Sequence, residues 1–172
     1  MKQYDVIIIG AGAAGLMCAI EALKRNRSVL IIEKSNKVGK KILISGGGRC
    51  NFTNLNIDPS AYISKNPHFC KSALSRYTQW DIIALLESFH LSWREKKLGQ
   101  LFCDQKSIGV LNALLKSCEK AKIELNVKTL KIKNDNKYLV KTNKKKYQTK
   151  SLVIATGGPS IPKMGATDFG LK

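Results

Sequence analysis

The hexapeptide GAGAAG at residues 10–15 constrains this chain more than any other stretch. Before it stands a largely apolar, β-branched run over residues 4–9; after it, Leu16, Ala19, Ile20 and Leu23 recur at helical spacing. The first pattern suits a buried parallel strand, and the second predicts an amphipathic helix over 13–24. A second apolar run over 28–32 completes a β-α-β unit. Glycines at G-x-G-x-x-G spacing across such a turn divide the work of holding a dinucleotide. Gly10 permits the tight turn, Gly12 lets the main chain approach a pyrophosphate, and Gly15 lets the helix lie close to the strand. Ala14 falls in the first helical turn, where unpaired N–H groups and the positive end of the helix dipole face an anion. The competing reading is a glycine-rich turn that holds nothing.

Glu33 follows the second strand at the spacing of an acid that accepts hydrogen bonds from a ribose diol, with Lys34 beside it. A carboxylate there repels a 2′-phosphate, so FAD or NAD is favoured over NADP. The two are separated by what comes next. A nicotinamide-binding unit continues promptly into another helix, whereas here residues 34–59 read as a long loop. That loop carries Lys41, then Gly46, Gly47, Gly48, Arg49, Cys50 and Asn51, with Thr53 and Asn54 beyond. Main chain this bare can lie along an extended cofactor and offer N–H donors; the plainer alternative is a surface loop without a ligand. A third segment, SLVIATGG over 151–158, is a buried strand that runs into Thr156, Gly157 and Gly158. Ligand sites in α/β sheets form at such strand ends.

Between these segments the pattern predicts helices over 74–90, broken before Gln79, and over 107–121. Residues 92–103 read as extended with a turn at Gly99. Strands are expected over 123–127, 130–133, 138–142, 145–149 and 151–155, with a hairpin turn at Asn134–Asn136. The fold class is therefore α/β: a Rossmann-like parallel sheet with helices and a small antiparallel β-meander. With 172 residues and 44% hydrophobic content, the chain suffices for one core, so residues 1–172 are expected to form one domain or part of one.

The formal charge of +18 raises nucleic acid or an anionic membrane as partners. Yet only five of the 30 basic residues are Arg, and none cluster. Lysine excess beside abundant Ile and Asn is the residue bias of an AT-rich genome. The lysines over 128–150 alternate with apolar residues, as on the wet face of a small sheet. The make-up of that charge therefore weighs against nucleic acid. No apolar run reaches the length of a membrane span. Five Cys without a C-x-x-C pair fit a reducing cytoplasm rather than a disulfide framework or a zinc site. Cys50 lacks a second Cys at the spacing of a redox pair, leaving a lone thiol or a small buried filler. His90 suits the end of a helix, and Trp80 and Trp93 are expected in the core.

GAGAAG, IIEK, GKKILISGGGRCNFTN and LVIATGGPSIPKMGAT, in this order and spacing, resemble the N-terminal part of a family of bacterial FAD-binding oxidoreductases. Its members are labelled aminoacetone-oxidase-like or bile-acid-reductase-like flavoproteins, of the glutathione-reductase-type fold. The resemblance implies extended FAD, with Gly10, Gly12 and Gly15 at the pyrophosphate and Glu33 at the adenosine ribose. It also implies Lys41 and the Gly46–Asn51 loop along the ribityl chain and ring, Val127 near the adenine, and Thr156 and Gly157 closing the site. Residues 163–167 would lead toward the flavin. A small-molecule substrate is implied, with NAD(P)H a candidate electron donor. Members of that family run to about twice this length, with an inserted β-rich domain and a C-terminal return segment that are not expected within these residues. Two other readings stand beside it: an RNA-associated flavoprotein module related to tRNA modifiers, and a non-catalytic remnant.

Overall fold

The structure, a computed structural model, describes residues 1–158. The expected segment 163–167 lies outside the described residues. The described residues form two compact units: Met1–Lys41 with residues 114–158, and Ile42–Ala113.

The first unit is built on β1 (Lys2–Ile9), α1 (Ala13–Lys24) and β2 (Val29–Ile32), the β-α-β that the apolar pattern predicts. Later in the chain come β3 (Asn51–Asn54), β4 (Trp93–Glu95) and β5 (Gln100–Cys103) of the second unit. The first unit then resumes with β6 (Lys122–Glu124), β7 (Thr129–Asp135), β8 (Lys137–Thr142) and β9 (Lys146–Ile154). Its six-stranded sheet has the order β6-β2-β1-β9-β8-β7. β6, β2, β1 and β9 run parallel, with Ile9 abreast of both Ile32 and Ile154. β7 and β8 add the antiparallel meander. Ile7, Ile9, Leu30, Ile32, Val127, Val140 and Tyr147 form one buried cluster.

Two expected strands, over 145–149 and 151–155, are one. β9 pairs antiparallel with β8 in its first half and parallel with β1 along its length. The strand over 123–127 is shorter than expected. It stops at Glu124, and Asn126 takes a left-handed conformation (φ 56°) that a β ladder does not accommodate.

Tyr147 joins core and polar chemistry. It is fully buried, and its hydroxyl donates a hydrogen bond to the Glu124 carboxylate, which Lys122 also approaches at 3.3 Å. Burial, then the neighbouring Glu124, push the phenol pKa upward. The unfolded phenol releases its proton near pH ~10 and the folded one only at higher pH. The stability it lends is thus whole below about pH 10 and falls as pH climbs above. Tyr147→Phe is expected to cost ~1–2 kcal/mol at neutral pH, because Glu124 loses a donor. Urea melts should show that gap narrowing above pH ~10; a gap constant with pH would contradict the assignment.

The second unit corrects the reading of residues 34–59 as loop. They hold α2 (Lys40–Ile44), a 3₁₀ turn over Ser45–Gly48 and β3. Elements of four or five residues are too short to show a period. β3, β5 and β4 form a three-stranded antiparallel sheet in that order, with a turn over Lys97–Gly99 where Gly99 predicts one. The helical stretch over 74–90 divides where expected, into α3 (Lys71–Arg76) and α4 (Gln79–Glu87). The Asp81 carboxylate accepts the Thr78 N–H at 2.6 Å, a capping contact that starts α4. α5 (Lys106–Ser117) closes the unit and leads back to the first. Trp80 is not a core anchor: it is 59% exposed, one turn before the buried Ile83 of α4.

Candidate functional site

In the first unit four strand ends, of β1, β2, β6 and β9, are sewn together by main-chain hydrogen bonds. The Gly10 N–H donates to Ile32 O at 2.8 Å, and the Ala155 N–H to Ile9 O at 2.8 Å. The Glu33 N–H donates to Glu124 O at 2.9 Å, and the Val127 N–H to Glu33 O at 3.0 Å. Gly10, Glu33, Val127 and Thr156 are thus gathered at the C-terminal edge of the parallel strands.

The three fingerprint glycines have different causes. At Gly10 (φ 111°) a Cβ would lie 2.4 Å from Ala155 O, and at Gly15 it would lie 2.0 Å from Gly10 O. The fold itself excludes side chains at both. Gly12 is the exception. Its backbone is extended (φ −84°, ψ −171°), a conformation open to any residue, and among the described residues nothing lies within 4 Å of where a Cβ would sit. Among the described residues, packing does not demand a glycine there. Gly12 is also the N-cap of α1, with no side-chain cap and no acid in the first turn. Its neighbours Ala13 and Ala14 are exposed. A helix start of this kind leaves its first N–H groups without intrahelical acceptors and its dipole without a capping charge. A diphosphate fits this cradle.

Glu33 has a second task that spacing alone does not reveal. One carboxylate oxygen accepts the Ala11 N–H at 2.8 Å and the other accepts the Ser35 N–H at 2.8 Å. The acid therefore braces the glycine turn against β2, while lone pairs remain for a ribose diol. Glu33→Gln keeps one acceptor and points an amide N–H₂ at the other donor. The expected cost is ~1–2 kcal/mol of stability, read by chemical denaturation together with weaker cofactor retention. Unchanged stability would contradict the bracing role.

Lys41 Nζ donates to Gly158 O at 3.1 Å, and a Cβ at Gly157 would lie 3.6 Å from that ammonium. Lys41 and the Thr156–Gly158 segment are thus neighbours, although 117 positions separate the hydrogen-bonded pair. Lys34 is exposed. Val127 is 1% exposed and packs in the core, so its main chain rather than its side chain is what a ligand could meet.

Gly46–Asn51 belongs to the second unit. Gly46, Gly47 and Gly48 take φ of 56°, 67° and 83°, so this turn requires glycine for its own shape. The Cys50 N–H closes it on Ser45 O at 3.0 Å. Cys50 is buried, and that burial pushes its thiol pKa up against the opposing hydrogen bond with Ser45. It is a packed thiol, not an activated one. Sequence spacing misses its neighbour: the Cys103 N–H donates to Cys50 O at 3.4 Å, and both thiols are free. Arg49 is exposed. Among the described residues, no group of three or more His, Cys, Asp or Glu side chains comes together as a metal site would need, and no helix is long and apolar enough to cross a membrane.

The chain is 47% identical to the ribosomal RNA dihydrouridine synthase of Escherichia coli (strain K12), over 100% of this chain and 44% of that protein. It is 26% identical to the 3-dehydro-bile acid delta(4,6)-reductase of Clostridium scindens, over 95% of this chain and 41% of the relative. It thus spans less than half the length of these relatives. Among solved structures, the 3-ketosteroid-delta4-(5alpha)-dehydrogenase of Rhodococcus jostii RHA1 superposes with a TM-score of 0.61 at 16% identity, covering 92% of this chain and 46% of that one. This last likeness is one of fold. The family described as the HI0933-like protein Rossmann domain matches residues 4–172, and the chain belongs to it.

Proposed function

We propose that this chain is the FAD-holding part of a flavin-dependent oxidoreductase that reduces uridine to dihydrouridine in ribosomal RNA. The observation that carries the cofactor is the bare N-cap of α1 at Gly12, which packing leaves unexplained. The relationship to the Escherichia coli ribosomal RNA dihydrouridine synthase, over all of this chain and 44% of that protein, supports the substrate.

In this reading Gly12, Ala13 and Ala14 present N–H donors to the pyrophosphate, and Gly10 and Gly15 hold that turn in shape. Glu33 fixes the turn and offers its remaining lone pairs to the adenosine ribose. Lys41 with Thr156, Gly157 and Gly158 supplies positive charge and bare main chain beside the same strand ends. Gly46–Asn51 is assigned to the ribityl chain and ring, and the Val127 main chain to the adenine. When bound, the flavin supplies two-electron hydride chemistry. The net reaction adds one hydride and one proton across the C5=C6 bond of uracil, with NAD(P)H as the class of electron donor.

Nucleoside analysis of ribosomal RNA by mass spectrometry tests the substrate. A strain lacking the gene should lack the modification, and the full-length gene should restore it. Unchanged dihydrouridine would overturn the RNA assignment. The second reading, an oxidoreductase of a small apolar substrate, rests on the 26% relationship to the bile acid reductase. It gains if the purified protein is yellow and the RNA is unaltered. A protein that is colourless and shows no response to FAD titration contradicts both.

A further inference from the structure

We infer that one face of the β7–β8–β9 meander is a docking surface for the RNA phosphate backbone. This inference rests on the RNA reading above. Lys131 on β7 stands abreast of Lys141 on β8, and Lys141 abreast of Lys146 on β9. Lys133 lies two residues along β7 on the same face. All four are exposed, whereas the alternating residues Val140, Thr142, Tyr147 and Thr149 turn inward and are buried. The row therefore points outward from the core by the period of the strand.

The arrangement is unfavourable for the chain by itself. Like charges directly opposite one another across a ladder repel. Among the described residues none of the four forms an ion pair. Three lysines elsewhere do have carboxylate partners: Lys24 with Glu21, Lys116 with Glu119 and Lys122 with Glu124. The only acid from Lys128 to Lys150 is Asp135, against nine lysines, and it stands at the hairpin end of the face. Lysine on an outer strand also discourages edge pairing, which accounts for Lys131 and Lys133. It does not account for Lys141 and Lys146, whose strands are flanked on both sides.

The ligand chemistry follows from the spacing. Lysines ~5 Å apart across strands and ~7 Å apart along them, on flexible stems, can follow a chain of phosphates. A lipid surface is the poorer match. Binding in a bilayer interface uses exposed apolar side chains among the cations; here Leu139, abreast of Lys133, is half-buried, and the exposed Leu130 and Ile132 alternate with Lys131 and Lys133 onto the opposite face.

The test uses the full-length protein with FAD bound and a short fluorescent single-stranded RNA of mixed sequence, titrated between about 50 and 200 mM salt. The variant is K131Q/K133Q/K141Q/K146Q, with Lys141→Gln alone as a lighter companion. Each lysine lost should remove about 0.7 from the slope of log K against log salt, close to 3 for all four. FAD retention should be unchanged, and melting temperature should hold or rise slightly, because all four side chains are solvent-exposed and their mutual repulsion is removed. An unchanged slope in a folded variant overturns the surface, as does failure of the parent protein to bind RNA at low salt. Loss of binding to phosphatidylglycerol vesicles without loss of RNA binding overturns it in favour of a membrane. The dihydrouridine assay is independent. If the modification needs the gene but the slope is unchanged, the surface is wrong and the proposed substrate stands. If the slope falls but the modification persists without the gene, the face binds RNA and the proposed substrate is wrong.

Discussion

Gly12→Asp is expected to leave the protein folded, slightly more stable, and unable to hold FAD. The two effects have opposite signs because they arise from the same empty space. Asp is a preferred N-cap, worth up to about 1 kcal/mol over a residue without a capping oxygen and less over Gly. A negative charge at a helix start adds ~0.3–1 kcal/mol. The Gly12 backbone is already in the extended conformation an N-cap needs, and nothing among the described residues blocks a side chain. Melting temperature should therefore hold or rise by ~2–4 °C. The same carboxylate would stand where the diphosphate is proposed to sit. Two like charges ~4 Å apart at a protein surface repel by about 4 kcal/mol, so FAD affinity should fall by at least ~100-fold. Fluorescence titration and a thermal melt on the same sample read both effects. Tight FAD binding by Gly12→Asp would remove the main support for the site.

Gly15→Ala should do the reverse and fail at the level of the fold. Helix propensity favours the change by ~1 kcal/mol, so a local reading predicts stabilisation. Packing predicts the opposite. The new methyl would lie 2.0 Å from Gly10 O and 3.4 Å from an Ile8 methyl. Gly10 is not free to move aside, because its N–H is bonded to Ile32 O and Ala155 O lies only 2.4 Å from where its own Cβ would sit. Overpacking against yielding side chains costs ~1–3 kcal/mol; against pinned main chain the upper end applies. The expected net loss is ~2–3 kcal/mol, a fall in melting temperature of roughly 5–10 °C for a domain of this size. Urea denaturation measures it. A stable Gly15→Ala protein would show that α1 can shift away from β1, and that the glycine is not there for packing.

These variants also show what the sequence could and could not disclose. The β-α-β unit was legible because its strands are apolar throughout and α1 has a full amphipathic period. The break before Gln79 and the turn at Gly99 were legible because each follows from one or two residue types. α2 and β3 were not: four or five residues carry no measurable period, and β3 is defined by its partner β5 in the distant chain. The joining of two expected strands into β9 was hidden for a related reason. Only its first half has β8 as well as β1 for a neighbour, so its alternation changes part-way. At the site, spacing named Glu33 but not its hold on Ala11 and Ser35, which depends on how the turn folds back. Motif logic gave Gly10 the tight turn, Gly12 the approach of a cofactor and Gly15 the close packing of helix on strand. The coordinates separate two glycines required by packing from one that is not.

Amide hydrogen exchange of the full-length protein with and without FAD tests the central claim most directly. The N–H groups of Gly12, Ala13 and Ala14 should exchange rapidly in the apoprotein, since they open a helix without a side-chain cap. Bound FAD should slow them by about 10-fold or more, together with Thr156–Gly158. Exchange at Gly12–Ala14 that FAD leaves unaltered, in a sample shown to be FAD-bound, would contradict the account.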